Sequence, residues 1–237
     1  MLIQACLNGS REPGAHSALP LSPQELAREA RRAVDAGAES LHMHPRRPDG
    51  SQALDPQTCG AAVIEVRAHC PAIPTGLSTA AWIEPELQQR LKLIWTWEEL
   101  PDFASVNFSE EGAADVCALL VAKGIGIEAG LATLEDVELL LTLGIADRCL
   151  RLLIEPGEPT IAAARANVEA IVQRLDTAGV RTPKLLHGSE ATTWPLLVNA
   201  LQRGYATRIG FEDTLTLPNG NPARDNAQLV ALARELR

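Results

Sequence analysis

The amino-acid sequence predicts an α/β fold of the (β/α)8 barrel kind. Three observations carry that prediction. Eight short apolar runs alternate with eight longer amphipathic segments to the end of the chain, the connections between them are short, and no linker or low-complexity tract interrupts the alternation. Parallel strands joined by helices need right-handed crossovers, and eight such units close into a ring more readily than they spread as an open sheet. An open doubly wound sheet, with its usual count of about five to seven strands, is the structural alternative.

The strand-like runs fall at 2–7 (LIQACL), 39–44 (ESLHMH), 73–77 (IPTGL), 103–108 (FASVNF), 125–129 (IGIEA), 148–153 (RCLRLL), 184–187 (KLLH) and 206–211 (ATRIGF). Helical spacing of apolar residues marks 22–36, 55–69, 85–98, 111–122, 133–143, 160–178, 190–202 and 223–236. Ser22 before Pro23, with Glu25 three residues on, is a capping box with proline at the first helical position, and Thr133 before Glu135 and Asp136 puts acid into a first turn. Gly37, Gly124, Gly144, Gly179 and Gly204 stand just past helical patterns, where a left-handed residue ends a helix. The one long connection, 8–21, is too polar for a core and should lie outside it. With helices of about a dozen residues, the whole of 1–237 reads as one barrel domain of near-minimal length.

Composition narrows the function. Apolar residues make up 46% and charged residues 22%, which excludes a disordered chain. A net charge of −9 without long runs of one sign argues against nucleic acid as the partner. No basic leader and no run near eighteen apolar residues occurs, so a cytoplasmic protein without a membrane partner is expected. Five cysteines, an odd number without CxxC spacing, read as reduced and buried. No GxGxxG, GxxxxGK[ST] or GxSxG is present to support a dinucleotide, P-loop or serine-hydrolase reading.

In such a barrel the reactive residues sit at the C-terminal strand ends. Those ends carry Asn8, His42, His44, Ser78, Thr79, Ser105, Asn107, Glu128, Glu155, His187, Ser189, Glu190, Arg208, Glu212 and Asp213. His42 and His44, two apart on one strand, project to one face and make half a metal site; Glu212 at the end of the last strand is the best-placed third ligand. The competing reading has both histidines merely packing in the barrel. In strand geometry Arg208, Gly210 and Glu212 share a face, so Arg208 can grip a carboxylate or depress a neighbouring acid, or else form a structural salt bridge closing the barrel. Ser78, Thr79, Ser105 and Asn107 offer donors for an anionic ligand, or cap turns. Glu128, in an otherwise apolar strand, is an inward-facing acid. His16, His69 and His187 lack the spacing of the pair, and His69 on a helix is expected to be solvated. Trp82, Trp95 and Trp97 are expected to pack around the third helix.

The sequence resembles the beta-keto acid cleavage enzymes, whose first characterised type is the 3-keto-5-aminohexanoate cleavage enzyme. The resemblance runs the whole length, on NG after strand one, LPLSPQELAREARRAVDAGAESLHMHPRRPDGS, GLST, ASVNF and RIGFEDTLTLPNGNPARDNAQLV. It implies a zinc-dependent TIM barrel that condenses a β-keto acid with acetyl-CoA to give acetoacetate and a new acyl-CoA. By position it implies metal ligation, by zinc or another divalent ion, at His42, His44 and Glu212, and a base at Asp213 paired with Arg208. Ser78 matches a hydroxyl near the substrate carboxylate, Ser105 a hydroxyl on strand four, and Glu128 an acid of the pocket; Asn107, from its own place on strand four, is a further expected substrate contact. In the loop after strand one the family position falls on Arg11, which implies a neutral or anionic substrate tail, or one residue on at Glu12, which implies a cationic one. A homo-oligomer, dimer or tetramer, is expected. The alternatives are a metal-assisted hydrolase or aldolase that does not use acetyl-CoA, and a metabolite-binding barrel without catalysis.

Overall fold

A computed structural model describes residues 1–237 and places eight parallel strands in a barrel with the helices outside. The strands are β1 (Ile3–Cys6), β2 (Ser40–Met43), β3 (Thr75–Ser78), β4 (Phe103–Asn107), β5 (Gly126–Leu131), β6 (Arg151–Ile154), β7 (Lys184–Leu186) and β8 (Thr207–Ile209). The helices are α1 (Pro23–Asp35), α2 (Pro56–His69), α3 (Leu87–Trp95), α4 (Ala113–Ala122), α5 (Leu134–Leu143), α6 (Ile161–Thr177), α7 (Thr193–Arg203) and α8 (Asn226–Glu235). Each strand from β2 to β7 pairs in parallel with its predecessor, and β8 pairs with β1. Between β7 and β8 the ring is completed by a Leu185–Ala206 bridge, with Leu186 N donating to Ala206 O at 3.0 Å and Ala206 N to Lys184 O at 3.0 Å. All eight expected strands and helices are present, and the open-sheet alternative is set aside by that closure.

Local chemistry explains the boundaries. Ser22 accepts from Glu25 N while Glu25 accepts from Ser22 N and Leu21 N, and Thr133 with Asp136 builds the same reciprocal cap on α5. These bonds hold the Glu25 carboxyl below its ordinary range. Gly144 and Gly204 end α5 and α7 at φ of 63° and 73°, the left-handed region that costs other residues a Cβ clash. The sixth strand begins at Arg151 rather than 148, because a 3-10 turn at Ala146–Arg148 uses the intervening residues, and α8 begins at Asn226 behind an Asp225 cap. The 8–21 connection is exposed in its middle, yet Asn8, Leu19 and Pro20 at its ends are buried, since Asn8 Nδ2 donates to Pro20 O at 3.1 Å and folds the loop back on the barrel.

The pleat separates two interiors. Outward residues such as Ile3, Leu41, Leu77, Ala104, Ile127, Leu152 and Ile209 join the helices' apolar faces in one cluster of 53 buried residues. Many inward positions carry polar side chains. Gln4 Nε2 donates to Glu128 Oε1 at 2.7 Å, Arg151 Nε lies 2.8 Å from the same oxygen, and the Arg151 guanidinium stacks over Phe103 at 5.0 Å. Glu128 therefore does point inward, but it is fully buried in this ion pair and does not line the cavity described below, which corrects its expected place in a substrate pocket. All five cysteines are buried and unpaired. The tryptophans part company: Trp97 is buried, Trp95 is 61% exposed, and Trp82 is 54% exposed on the loop after β3 rather than packed round α3.

Gly76 faces Phe103 across the β3–β4 register, and a Cβ there would stand 2.0 Å from the ring. We expect Gly76→Ala to cost about 1–3 kcal/mol in chemical denaturation. Phe103→Leu in the Gly76→Ala background should recover part of that loss; additive losses from the two changes would show that the contact is not what limits the site.

Candidate active site

The strand ends converge on a cavity of about 490 Å³ lined by polar side chains from seven strands or the loops after them. His42, on β2, and His44, just past its end, project to the same side because they are two residues apart on extended backbone. Their Nε2 atoms stand 3.2 Å apart, and Glu212 completes a triangle with Oε2 3.6 Å from His42 Nε2 and Oε1 3.7 Å from His44 Nε2. Two ligand atoms about 2.0–2.1 Å from a tetrahedral ion are separated by roughly 3.3 Å, so the triangle is close to the size of one face of such a site. Glu212 Oε2 is buried without a hydrogen-bond donor. A buried carboxylate oxygen without a donor, facing two imidazole nitrogens, is what a cation satisfies, and two imidazoles with one carboxylate suit zinc or another divalent ion with a position left open.

Neighbouring residues hold the histidines in place. The Nδ1–H of His44 donates to Gln52 Oε1 at 2.6 Å, which leaves its Nε2 lone pair facing Glu212 and His42. Asn8 grips the His44 backbone from both sides, donating to its carbonyl at 2.9 Å and accepting from its N–H at 2.9 Å. Gln52 reaches His44 because residues 45–53 fold back through an Arg46–Gln52 bridge, and Arg46 is itself buried and donates to the carbonyls of Gly50, Gly9 and Arg11.

Arg208 organises the opposite side. Its Nη2 donates to Glu212 Oε1 at 2.8 Å and its Nε to Asp213 Oδ1 at 3.0 Å. Extended backbone could not do this, since adjacent residues would point to opposite faces. Strand β8 stops at Ile209 instead, and Asp213 N and Thr214 N both donate to Gly210 O, so a tight turn brings both acids onto one guanidinium. Gly210 is required by its neighbours: a Cβ would lie 2.0 Å from the Cys6 carbonyl oxygen. Asp213 O is held by Glu190 N at 2.7 Å and Thr193 Oγ1 at 3.0 Å, with Glu190 in the left-handed region at φ 50°.

Several expected residues are placed together and others are not. Ser78, Ser105 and Asn107 line the cavity with His42, His44, Arg208, Glu212 and Asp213. Ser78 Oγ accepts from Ala80 N at 3.3 Å, which leaves its hydroxyl hydrogen to donate elsewhere. Arg11 does not line the cavity. It donates to Phe211 O at 2.7 Å and pairs with Glu190, while Glu12 is exposed, and Ser10 is the loop residue that faces in. His187, set apart in sequence for want of spacing, has a carboxylate at each nitrogen: Asp213 Oδ1 at 3.4 Å from Nδ1 and Glu155 Oε2 at 3.3 Å from Nε2. Its position at the end of a strand was the only signal. Trp82 stacks on His44 at 6.4 Å and 14°, a contact no periodicity marks.

Burial is the largest single influence on each of three groups but prevails only at His42. It holds the His42 imidazole down at about 3, against the pull of Glu212. Glu212 is pushed up by burial, but Arg208 first and then the two histidines outweigh it and hold the carboxyl well below its usual range. For His187, burial and Arg208 lower the pKa, while the bonds to Asp213 and Glu155 prevail and raise it.

A family model described as beta-keto acid cleavage enzyme matches residues 1–183 and 129–237. Two relatives named 3-keto-5-aminohexanoate cleavage enzyme align along the chain. That of Acetoanaerobium sticklandii is 22% identical over 245 residues, covering 97% of this chain and 89% of its own; that of Fusobacterium nucleatum is 23% identical over 254 residues, covering 100% and 92%. Among solved structures, apo ObcA superposes with a TM-score of 0.73 at 19% identity, covering 92% of this chain and 61% of ObcA. A ternary complex of ObcA with a C4-CoA adduct and oxalate gives 0.75 at 18%, and the chain spans about 63% of that protein's length. At such identities these superpositions speak for the barrel alone.

With His42 depressed to about 3, the unfolded chain takes up its proton near pH 6.5 while the folded chain does not. The folded metal-free protein should therefore show His42 as neutral imidazole by NMR from about pH 8 down to about 5, and its stability should fall as pH drops below about 6.5. A His42 resonance titrating near 6.5 would contradict the burial argument.

Proposed function

The chain belongs to the beta-keto acid cleavage enzyme family, and from that premise we propose that it condenses a β-keto acid with acetyl-CoA, yielding acetoacetate and a new acyl-CoA, with zinc or another divalent ion held by His42, His44 and Glu212. The observation that carries this reading is Asp213 Oδ2. It is buried, has no hydrogen-bond donor, and belongs to a carboxylate that lines the same cavity as the His42, His44 and Glu212 triangle, its sister oxygen pinned by Arg208 Nε. The names of the two aligned relatives point the same way.

When bound, a divalent cation supplies Lewis-acid stabilisation of the negative charge that develops as the C2 proton leaves. Asp213 Oδ2 takes that proton. Arg208 keeps Asp213 oriented and shares its charge between Asp213 and Glu212, so the base is aimed without being buried as a bare anion. Ser78 donates its hydroxyl hydrogen to the substrate carboxylate. The C2 carbanion attacks the acetyl thioester, forming a carbon–carbon bond and releasing the CoA thiolate. The thiolate then attacks the original keto carbon, the C2–C3 bond breaks, and the proton held on Asp213 returns to C2 of acetoacetate. Atoms balance with no further reactant.

Two variants separate the roles. His44→Ala should lose stoichiometric metal in elemental analysis. Asp213→Asn should keep the metal but lose C2 exchange of a β-keto acid in heavy water, with kcat down about a hundredfold to ten-thousandfold. Turnover by wild type that needs no acetyl-CoA would favour the hydrolase or aldolase reading, and unchanged metal in His44→Ala would remove that residue from the site.

A further inference from the structure

Across the barrel from the histidine pair, β4, β5 and β6 build a wall whose chemistry the proposed reaction does not use. Asn107 pairs in register with Gly130. A Cβ on Gly130 would stand 2.3 Å from Glu155 Oε1 and 3.1 Å from Asn107 Oδ1, so the missing side chain leaves a cradle into which two oxygens converge. The amide of Asn107 is not free to turn, because its Nδ2 donates to Glu110 Oε1 at 2.8 Å, and Glu110 is held in turn by Ala81 N at 2.8 Å. Its Oδ1 is thereby committed as an acceptor. Glu155 spends Oε2 on His187 and keeps Oε1. Ser105 and Ser109 bring hydroxyls to the same lining.

We propose that this wall, Glu155 and Asn107 over Gly130, is a subsite for an uncharged, hydroxyl-bearing tail of the substrate, so that the preferred β-keto acid is a short hydroxylated one. The inference rests on the β-keto acid reading above. Two acceptors require a donor, which an alkyl tail lacks; it would leave the Glu155 oxygen desolvated and unmatched. A carboxylate tail would meet those oxygens with no unengaged cation: Arg208 is committed to Glu212 and Asp213, and Arg11 to Glu190 and two carbonyls. An ammonium tail finds the Glu155 charge already matched by an imidazole that has a carboxylate at each nitrogen and so donates from both. A hydroxyl points its one hydrogen between the two converging oxygens and accepts from the serines.

Calorimetric dissociation constants on the zinc-loaded protein for 5-hydroxy-3-oxohexanoate, 3-oxohexanoate, 5-amino-3-oxohexanoate and 3-oxohexanedioate test this. The hydroxylated acid should bind about 10- to 100-fold tighter than the alkyl one and tighter than either charged one. Gly130→Ala, which fills the cradle, and Glu155→Gln, which removes the carboxylate with little change of shape, should each shrink that ratio. Equal binding of the alkyl acid, best binding of the ammonium acid, or a ratio unchanged in both variants overturns the subsite. Deuterium exchange at C2 of 3-oxobutanoate, which has no such tail, reports on the underlying reading separately: exchange with no tail preference sinks the subsite alone, and no exchange with no binding sinks both.

Discussion

The fork of Arg208 onto Glu212 and Asp213 is the interaction on which the site depends. A guanidinium inside a barrel is costly to bury unless each face of it is matched, and losing one partner of such a pair typically costs about 3–5 kcal/mol. Here the two matching carboxylates are adjacent in sequence, which forces the chain out of β8 and into the 210–214 turn. That turn hands one acid to the histidine pair and leaves the other with a bare oxygen. One cation thus divides two like residues into different tasks. Burial alone would raise Glu212, and it is the arginine, before the histidines, that keeps it ionised.

The loops around the turn act as struts. Gly9 approaches so closely that a Cβ would lie 2.3 Å from Glu212 Cγ, and Arg11 bonds to the carbonyls of Phe211 and Glu212. Glu190 accepts a left-handed backbone and in return presents its N–H to Asp213 O and its carboxylate to Arg11. Asn8 and Gln52 play the same part for His44. None of these residues needs to touch a ligand to matter, because a site of this kind depends on ligand atoms held to within about half an ångström.

Below the cavity the barrel interior is filled by a second ionic group, Glu128 with Arg151 and Gln4, under the Phe103 ring. It explains why an inward acid in an apolar strand does not have to be a substrate contact. Burial pushes its carboxyl up, and Arg151 and Gln4 draw it back. The same pleat that sends Ile127 and Ala129 into the apolar cluster sends Glu128 into the lumen.

Legible in the one-dimensional pattern is whatever depends on local periodicity and on neighbours within a turn: eight strands, eight helices, their caps and stops, and the shared face of His42 and His44. Spacing also placed Arg208 near Glu212, although for the wrong reason, since strand geometry would have turned Asp213 away. Tertiary structure decided everything that required two strands to be measured against each other. His187 between Glu155 and Asp213, Gln52 against His44, the withdrawal of Arg11 and Glu128 from the cavity, and the exposure of Trp82 all follow from side-chain reach and burial across the barrel. A one-dimensional pattern records which face a residue takes, and the ring closed between β7 and β8 decides which residues from other strands that face will meet.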